Sequence, residues 1–268
     1  MNRSRWPLYG ILAFGYAFLY VPVLLLIIYS FNESRLVTVW SGFSTKWYGE
    51  LIHNRQLLDA AWLSIRIATV NATFAVVLGT LAANALVRHG RFRGRTGFEL
   101  LLTAPLVMPD VIIGLSLLLL FVAMEQVIGW PPGRGFTTIA IAHITFSMAY
   151  VAVVVRSRLG QMDRSLEEAA MDLGARPLGV YLRITLPLIA PALISGWLLA
   201  FTLSLDDLVI ASFVAGPGST TLPMVIYSSV RMGVSPQINA LATIIVAVVS
   251  LAVVIAGISL RRRPAGGR

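Results

Sequence analysis

Six apolar stretches punctuate this 268-residue chain, at about 8–30, 60–87, 100–123, 137–155, 189–214 and 238–260. Each is near the ~20 residues that a helix needs to cross the roughly 30 Å hydrocarbon core of a bilayer. Backbone amides in lipid must bond within their own segment, so such stretches fold as helices. The expected fold is all-α: one polytopic membrane domain over residues 1–268 with about six transmembrane helices. Only 12% of the residues are charged, about half the share in soluble domains. The first stretch is longer than the apolar core of a signal peptide, and no small-x-small cleavage site follows it. It reads as an uncleaved span.

The basic residues set the orientation. With the N-terminus in the cytoplasm, one side collects Arg3, Arg5, Arg88, Arg91, Arg93, Arg95, Arg156, Arg158, Arg164, Arg176, Arg183, Arg261, Arg262, Arg263 and Arg268. The other side holds Arg35, Lys46, Arg55, Arg66, Arg134 and Arg231. Cytoplasmic loops carry the excess of Lys and Arg, so both termini are expected inside. The same clustering between apolar runs accounts for the net charge of +9 and argues against nucleic acid as a partner. There is no cysteine, hence no disulfide or thiolate metal site. His53, His89 and His143 are scattered, and no metal site is expected.

Two connections stand out. The outer loop over about 31–59 carries Trp40, Phe43, Trp47 and Tyr48, side chains suited to headgroups or a docking protein. The long inner connection, 156–188, has internal structure. Ser165 followed by Glu168 has the form of a capping box. Leu166, Ala169, Ala170 and Leu173 then share one helix face. Gly174 marks a helix stop, Pro177 a second helix start, and Pro187 a break before the fifth span. This compact helix-turn-helix is either a knob for a groove on a partner or a connector packed on its own spans.

The run Glu168-Ala169-Ala170-x3-Gly174-x9-Ile184-x-Leu186-Pro187 resembles the EAA loop of binding-protein-dependent ABC importer permeases, and span number and loop position fit too. The resemblance implies the type I ABC importer permease fold, with these residues forming cytoplasmic coupling helices that dock on an ATPase. The chain itself has no Gly-x4-Gly-Lys-[Ser/Thr] phosphate loop. The resemblance accordingly implies ATP and magnesium on a separate dimeric ATPase, with no cofactor and no catalytic residue expected here.

Ionisable groups within spans mark candidate pathway positions. Asp110 follows Pro109, near the middle of the third stretch; it lines the pathway or caps a resumed helix. Asp206 and Asp207 point about 100° apart. Asp206 shares a stripe with Ser195 and Thr202, and Asp207 a less polar one with Gly196 and Leu203, so Asp206 is the first choice. Its alternative, and the favoured reading of Asp207, is contact with a neighbouring subunit or the capping of a broken helix. Gly216-Pro217-Gly218 and Thr220-Thr221-Leu222-Pro223 cannot continue a regular helix. They form a re-entrant segment or an ordinary outer turn.

The tract 201–207, the Gly-Pro-Gly and Thr-Thr-Leu-Pro runs, Ser30-Phe31-Asn32 and Met108-Pro109-Asp110 resemble the polyamine branch of the family, nearest its putrescine permeases of Gram-negative bacteria. That resemblance implies a second homologous permease in a heterodimer, a periplasmic solute-binding protein and an inner-membrane location. Spermidine or another organic cation is the alternative solute. A stand-alone secondary transporter would show a repeat and a coupling-ion site, and an intramembrane hydrolase a nucleophile–base pair. The sequence argues for neither.

Overall fold

A computed structural model describes residues 6–36, 39–90, 92–232 and 235–261. Among them there are helices and no strand: α1 (Trp6–Ser30), α2 (Lys46–His53), α3 (Arg55–Arg88), α4 (Arg95–Thr103), α5 (Asp110–Ile128), α6 (Phe136–Gln161), α7 (Ser165–Asp172), α8 (Pro177–Val180), α9 (Leu186–Leu205), α10 (Val209–Val214), α11 (Leu222–Met232) and α12 (Pro236–Arg261). Five described helical stretches are long and apolar enough to cross a membrane, and the described apolar part of α12 runs over Pro236–Leu251. The chain divides into two compact units, residues 59–225 and the remainder at the two ends.

In the unit 59–225, α6 lies along α9, and α10 packs on α5 and α6. Small side chains let these backbones approach, as is usual where lipid gives no hydrophobic drive to associate. Ala72, Ala75, Ala83 and Ala200 are buried with Val151, Val155, Leu159 and Ile189. A Cβ on Gly79 would stand 2.9 Å from the Met148 carbonyl oxygen. A second cluster joins Ile67, Ile113, Phe121, Ile139 and Ala142 to Ile210, Ala211 and Val214. Between them Asn71, fully buried, donates through Nδ2 to the Ala200 carbonyl (2.7 Å) and to Ser147 Oγ (3.1 Å).

Several boundaries differ from the sequence reading: α3 begins at Arg55 rather than about 60, and α6 runs to Gln161, so the inner connection expected from 156 begins only after it. The third stretch is no single helix from 100: α4 ends at Thr103, a 3₁₀ turn covers Ala104–Leu106, and α5 begins at Asp110. Pro105 and Pro109 withhold the amides a continuous helix needs. The fifth stretch is interrupted after Leu205 and resumes as α10. Pro187, expected to break the chain before the fifth span, does not. Tyr181–Thr185 forms a π turn that runs into α9. The Leu186 amide bonds the Tyr181 carbonyl five residues back, and the widened turn carries Pro187, which has no N–H, into the first turn of α9.

In the other unit α1 and α2 both pack on α12. The loop after α1 is folded around Asn32. Its Nδ2 donates to the Val39 carbonyl (2.7 Å), its Oδ1 accepts from the Ser41 amide (3.0 Å), and its carbonyl accepts from Trp47 Nε1 (2.6 Å). Phe31 stacks on Phe43, and the Tyr48 hydroxyl meets Ser30 Oγ at 2.7 Å. Trp47 and Tyr48 therefore serve the loop itself, while Trp40 and Phe43 stay exposed.

Candidate functional site

The segment 162–188 folds as two short helices and a turn. The expected capping box is absent: Arg164 occupies the N-cap of α7, its side chain makes no cap bond, and Ser165 lies inside the helix. Asp163 takes over, its Oδ1 accepting the Ser165 amide at 3.0 Å. A carboxylate is the stronger acceptor at the positive end of a helix. Bonds from the Ser165 backbone and side chain hold the Asp163 carboxyl below its ordinary pKa. At the other end Gly174 adopts φ +85°, and its neighbour's amide (Ala175) reaches back to the Ala170 carbonyl at 3.1 Å. Only glycine takes that conformation without strain.

One residue the sequence reading passed over fastens this segment to the spans. Glu167 Oε1 accepts from Arg88 Nη2 at the end of α3 (3.1 Å) and from Thr185 Oγ1 in the π turn (2.6 Å). Arg164 Nη2 donates to the Val87 carbonyl at 2.6 Å. The signature residues behave differently. Glu168 and Ala169 are exposed, Ala170 is half-buried, and Gly174 is exposed. Ile184 and Leu186 are half-buried and Pro187 is exposed. Leu166, Met171, Leu173, Leu178 and Leu182 are also exposed, Leu173 to 90%. A cleft of about 350 Å³ lies beside Glu168, lined by Asn84, Arg88, Met171 and Tyr181. The segment is thus rigidly held on one side and presents an apolar, small-residue surface on the other.

Contacts within the unit 59–225 sort its ends. At one end Arg88, Arg164 and Arg156 join α3, α6, α7 and α4, the last through Arg156 to Glu99 Oε1. Hydrogen bonding from Arg156, its charge, and that of Arg95 hold the Glu99 carboxyl below the ordinary glutamate pKa. At the other end the Leu222 amide donates to Ser64 Oγ (2.8 Å), and Thr138 Oγ1 donates to the Val214 carbonyl (2.7 Å). Gly216 lies so close to the Arg134 carbonyl that no Cβ fits between them. The segment 215–221 is therefore an ordered turn packed on its neighbours. Ser219 Oγ accepts the Gly216 amide at 2.8 Å.

The three acidic candidates separate. Asp110 is the exposed first residue of α5, after an extended Pro109. It lies at a helix start rather than in mid-span, where its charge suits the helix dipole. Asp206 ends α9, its amide bonded to the Thr202 carbonyl at 3.2 Å. Its stripe is exposed throughout, at Ser195, Thr202 and Asp206. The stripe through Gly196 and Leu203 turns inward. Asp207 follows it and caps the resumed helix: Oδ2 accepts the Ala211 amide (2.7 Å) and Oδ1 the Ile210 amide (3.3 Å).

Asp207 also meets His143, another residue the sequence reading left aside. His143 is 2% exposed. Its Nε2 lies 3.1 Å from Asp207 Oδ2 and its Nδ1 2.7 Å from Ser204 Oγ. With the proton on Nε2, the ring donates to Asp207 and accepts from Ser204. Serine, histidine and aspartate are brought together, yet not as a hydrolase needs them. Ser204 is buried at 5% exposure, and the carboxylate already serves two helix amides. The three groups bind α6, α9 and α10 to one another. The signal available in sequence was the three-residue spacing of Ser204 and Asp207, which places both on one helical face.

Residues 75–263 match the model of the family described as binding-protein-dependent transport system inner membrane component. The chain is 65% identical to the putrescine transport system permease protein PotI of Escherichia coli K12, over 93% of this chain and 88% of that one. It is 46% identical to the spermidine/putrescine transport system permease protein PotC of the same organism, over 92% and 90%. Among solved structures, a chain of a bacterial ABC transporter that imports alginate superposes with a TM-score of 0.72 at 17% identity, covering 98% of this chain and 99% of that one. One from the inward-facing MetNI methionine ABC transporter gives 0.61 at 16%, covering 77% and 94%. These two likenesses show the fold.

Proposed function

The chain belongs to the family of binding-protein-dependent transport system inner membrane components, and from that premise we propose that it is the putrescine-passing permease subunit of an ATP-driven importer. The observation that carries the substrate is the 65% identity to a putrescine permease along 93% of the chain. It forms half of the translocation path, and a second, homologous permease forms the other half as a heterodimer. A dimeric ATPase, holding ATP and magnesium, seats on the exposed face of α7 and α8 around Glu168, Ala169, Ala170 and Gly174. A periplasmic binding protein delivers the solute, and both termini lie in the cytoplasm. This orientation is supported by the basic end of the unit 59–225, where Arg88, Arg156 and Arg164 gather.

The geometry suits transmission of force. Because α8, the π turn and α9 are continuous, a pull on the docking segment acts directly on the helix that ends at Asp206. Closure of the ATPase on ATP would tilt α9 toward the outward-facing arrangement, and release would return it, a rigid-body switch between two packed states. No covalent step falls to this subunit.

Reconstitution tests the reading. The purified importer in liposomes, with internal ATP and external binding protein, should accumulate labelled putrescine, and removing the ATPase should abolish accumulation. Accumulation without the ATPase, under an ion gradient, would overturn it. The 46% identity to a spermidine/putrescine permease favours spermidine as second solute, so spermidine in excess should compete.

A further inference from the structure

Asp206 is an exposed carboxylate on a greasy helix. His143, level with it on α6, lies seven residues from Phe136, or about 10 Å inside the end of that helix. A carboxylate at such depth does not face lipid. It faces water or another protein chain, and it continues the exposed polar stripe of Ser195 and Thr202. Its own amide bonds only back into α9, to the Thr202 carbonyl. The backbone between Ser204 and Asp207 is pinned at both ends by a single ring, with Ser204 Oγ 2.7 Å from Nδ1 and Asp207 Oδ2 3.1 Å from Nε2 of His143. Leu205 between them is half-buried. Asp206 is the one polar side chain of that pinned segment left to point outward.

We propose that His143 is a positioning residue for solute passage: by clasping Ser204 and Asp207 it fixes the break between α9 and α10 that presents the Asp206 carboxylate to an ammonium group of the polyamine. The inference rests on the reading of this chain as a putrescine permease. Two adjacent carboxylates repel, and the clasp resolves this by assigning them different work. Asp207 is spent on His143 and the amides of Ile210 and Ala211, and Asp206 stays available for a cation. A primary ammonium brings three donors and no acceptor, so a free carboxylate is the matching partner.

The test is a double-mutant cycle in the whole importer, reading ATP-dependent putrescine uptake into proteoliposomes alongside ATP hydrolysis. Asp206→Asn and His143→Ala should each lower uptake roughly tenfold, the scale of one lost charged contact, while assembly and ATP hydrolysis persist. The double variant should be no worse than Asp206→Asn, because the histidine acts only through that carboxylate. His143→Gln, which can still bridge, should restore most of the loss. If His143→Ala does not assemble, Ser204→Ala, which opens one half of the clasp, takes its place in the cycle. Losses that multiply, or uptake unchanged by opening the clasp, would overturn the positioning role. A wild-type importer that accumulates no putrescine would instead sink the reading beneath it, before any variant is compared.

Discussion

Glu167→Ala should release the segment 162–188 from the spans. The carboxylate holds two partners, Arg88 Nη2 at 3.1 Å and Thr185 Oγ1 at 2.6 Å, and the charged side chains are 16% and 13% exposed for Glu167 and Arg88. A hydrogen bond to a charged group is worth about 1.5–3 kcal/mol. An ion pair ranges from about 0–1 kcal/mol at the surface to about 3–5 when broken in the interior. At this intermediate burial a total near 3 kcal/mol follows. Arg88 Nε is buried without a hydrogen-bond partner, so losing Glu167 leaves more of the guanidinium unsatisfied. Amide hydrogen exchange of the chain in nanodiscs should read this as local opening: about hundredfold faster exchange over 165–185 at 1.4 kcal/mol per decade. Glu167→Gln keeps an acceptor for Thr185 but loses the charge, and should give roughly tenfold. Glu168→Ala, at an exposed site, should leave exchange unchanged. If Glu167→Ala alters exchange by less than about threefold, or if Glu168→Ala matches it, the assignment of Glu167 as the anchor is wrong.

Gly216→Ala should lower folded yield and thermal stability by about 1–3 kcal/mol, because its Cβ would collide with the rigid Arg134 backbone carbonyl; a melting curve equal to wild type would refute it. Asn71→Ala should cost about 0.6–1.7 kcal/mol, between the average and the largest value for hydrogen bonds between membrane helices, read as a lower unfolding midpoint in mixed micelles. The Glu99–Arg156 pair should matter only above acid pH. The Glu99 carboxyl lies below its ordinary value of 4.5, so its stabilising contribution is complete above pH 4.5 and disappears as pH falls through the depressed folded value. The melting-temperature gap between wild type and Glu99→Gln should therefore be constant from pH 7 to about 5 and close in stronger acid; a gap that widens on acidification would contradict the sign.

How much of this was legible in the sequence follows from the range of each interaction. The spans were readable because hydropathy is a local sum, and one bilayer-length run suffices. The interruptions at 104–109 and 206–208 were blurred for the same reason, since a window that averages over about 20 residues passes over two prolines or two aspartates. The cap of α7 was missed by one position, with Arg164 at the N-cap and the Asp163 carboxylate before it bonding the Ser165 amide. Asp163 and Ser165 are both good caps, and only the backbone could decide between them. Gly174 and Pro177 were legible because their demands are set by their own covalent structure.

The anchors lay beyond that reach. Glu167 and Glu168 are neighbours of one residue type, and the difference between them is made by Arg88, 79 positions away. His143 is separated from Ser204 and Asp207 by 61 and 64 positions. In a membrane protein this is the expected division. Apolar patterning fixes which segments cross, but lipid is as apolar as leucine, so it cannot say which spans are neighbours. That choice falls to small-residue contacts and a few polar bonds between distant segments. Here those bonds stand at both ends of α9: Glu167 ties Thr185 just before it begins, and His143 ties the break where it ends. A helix held at both ends can move as a unit, so in the proposed importer force applied around Glu168 would pass along the 20 residues of α9 to Asp206.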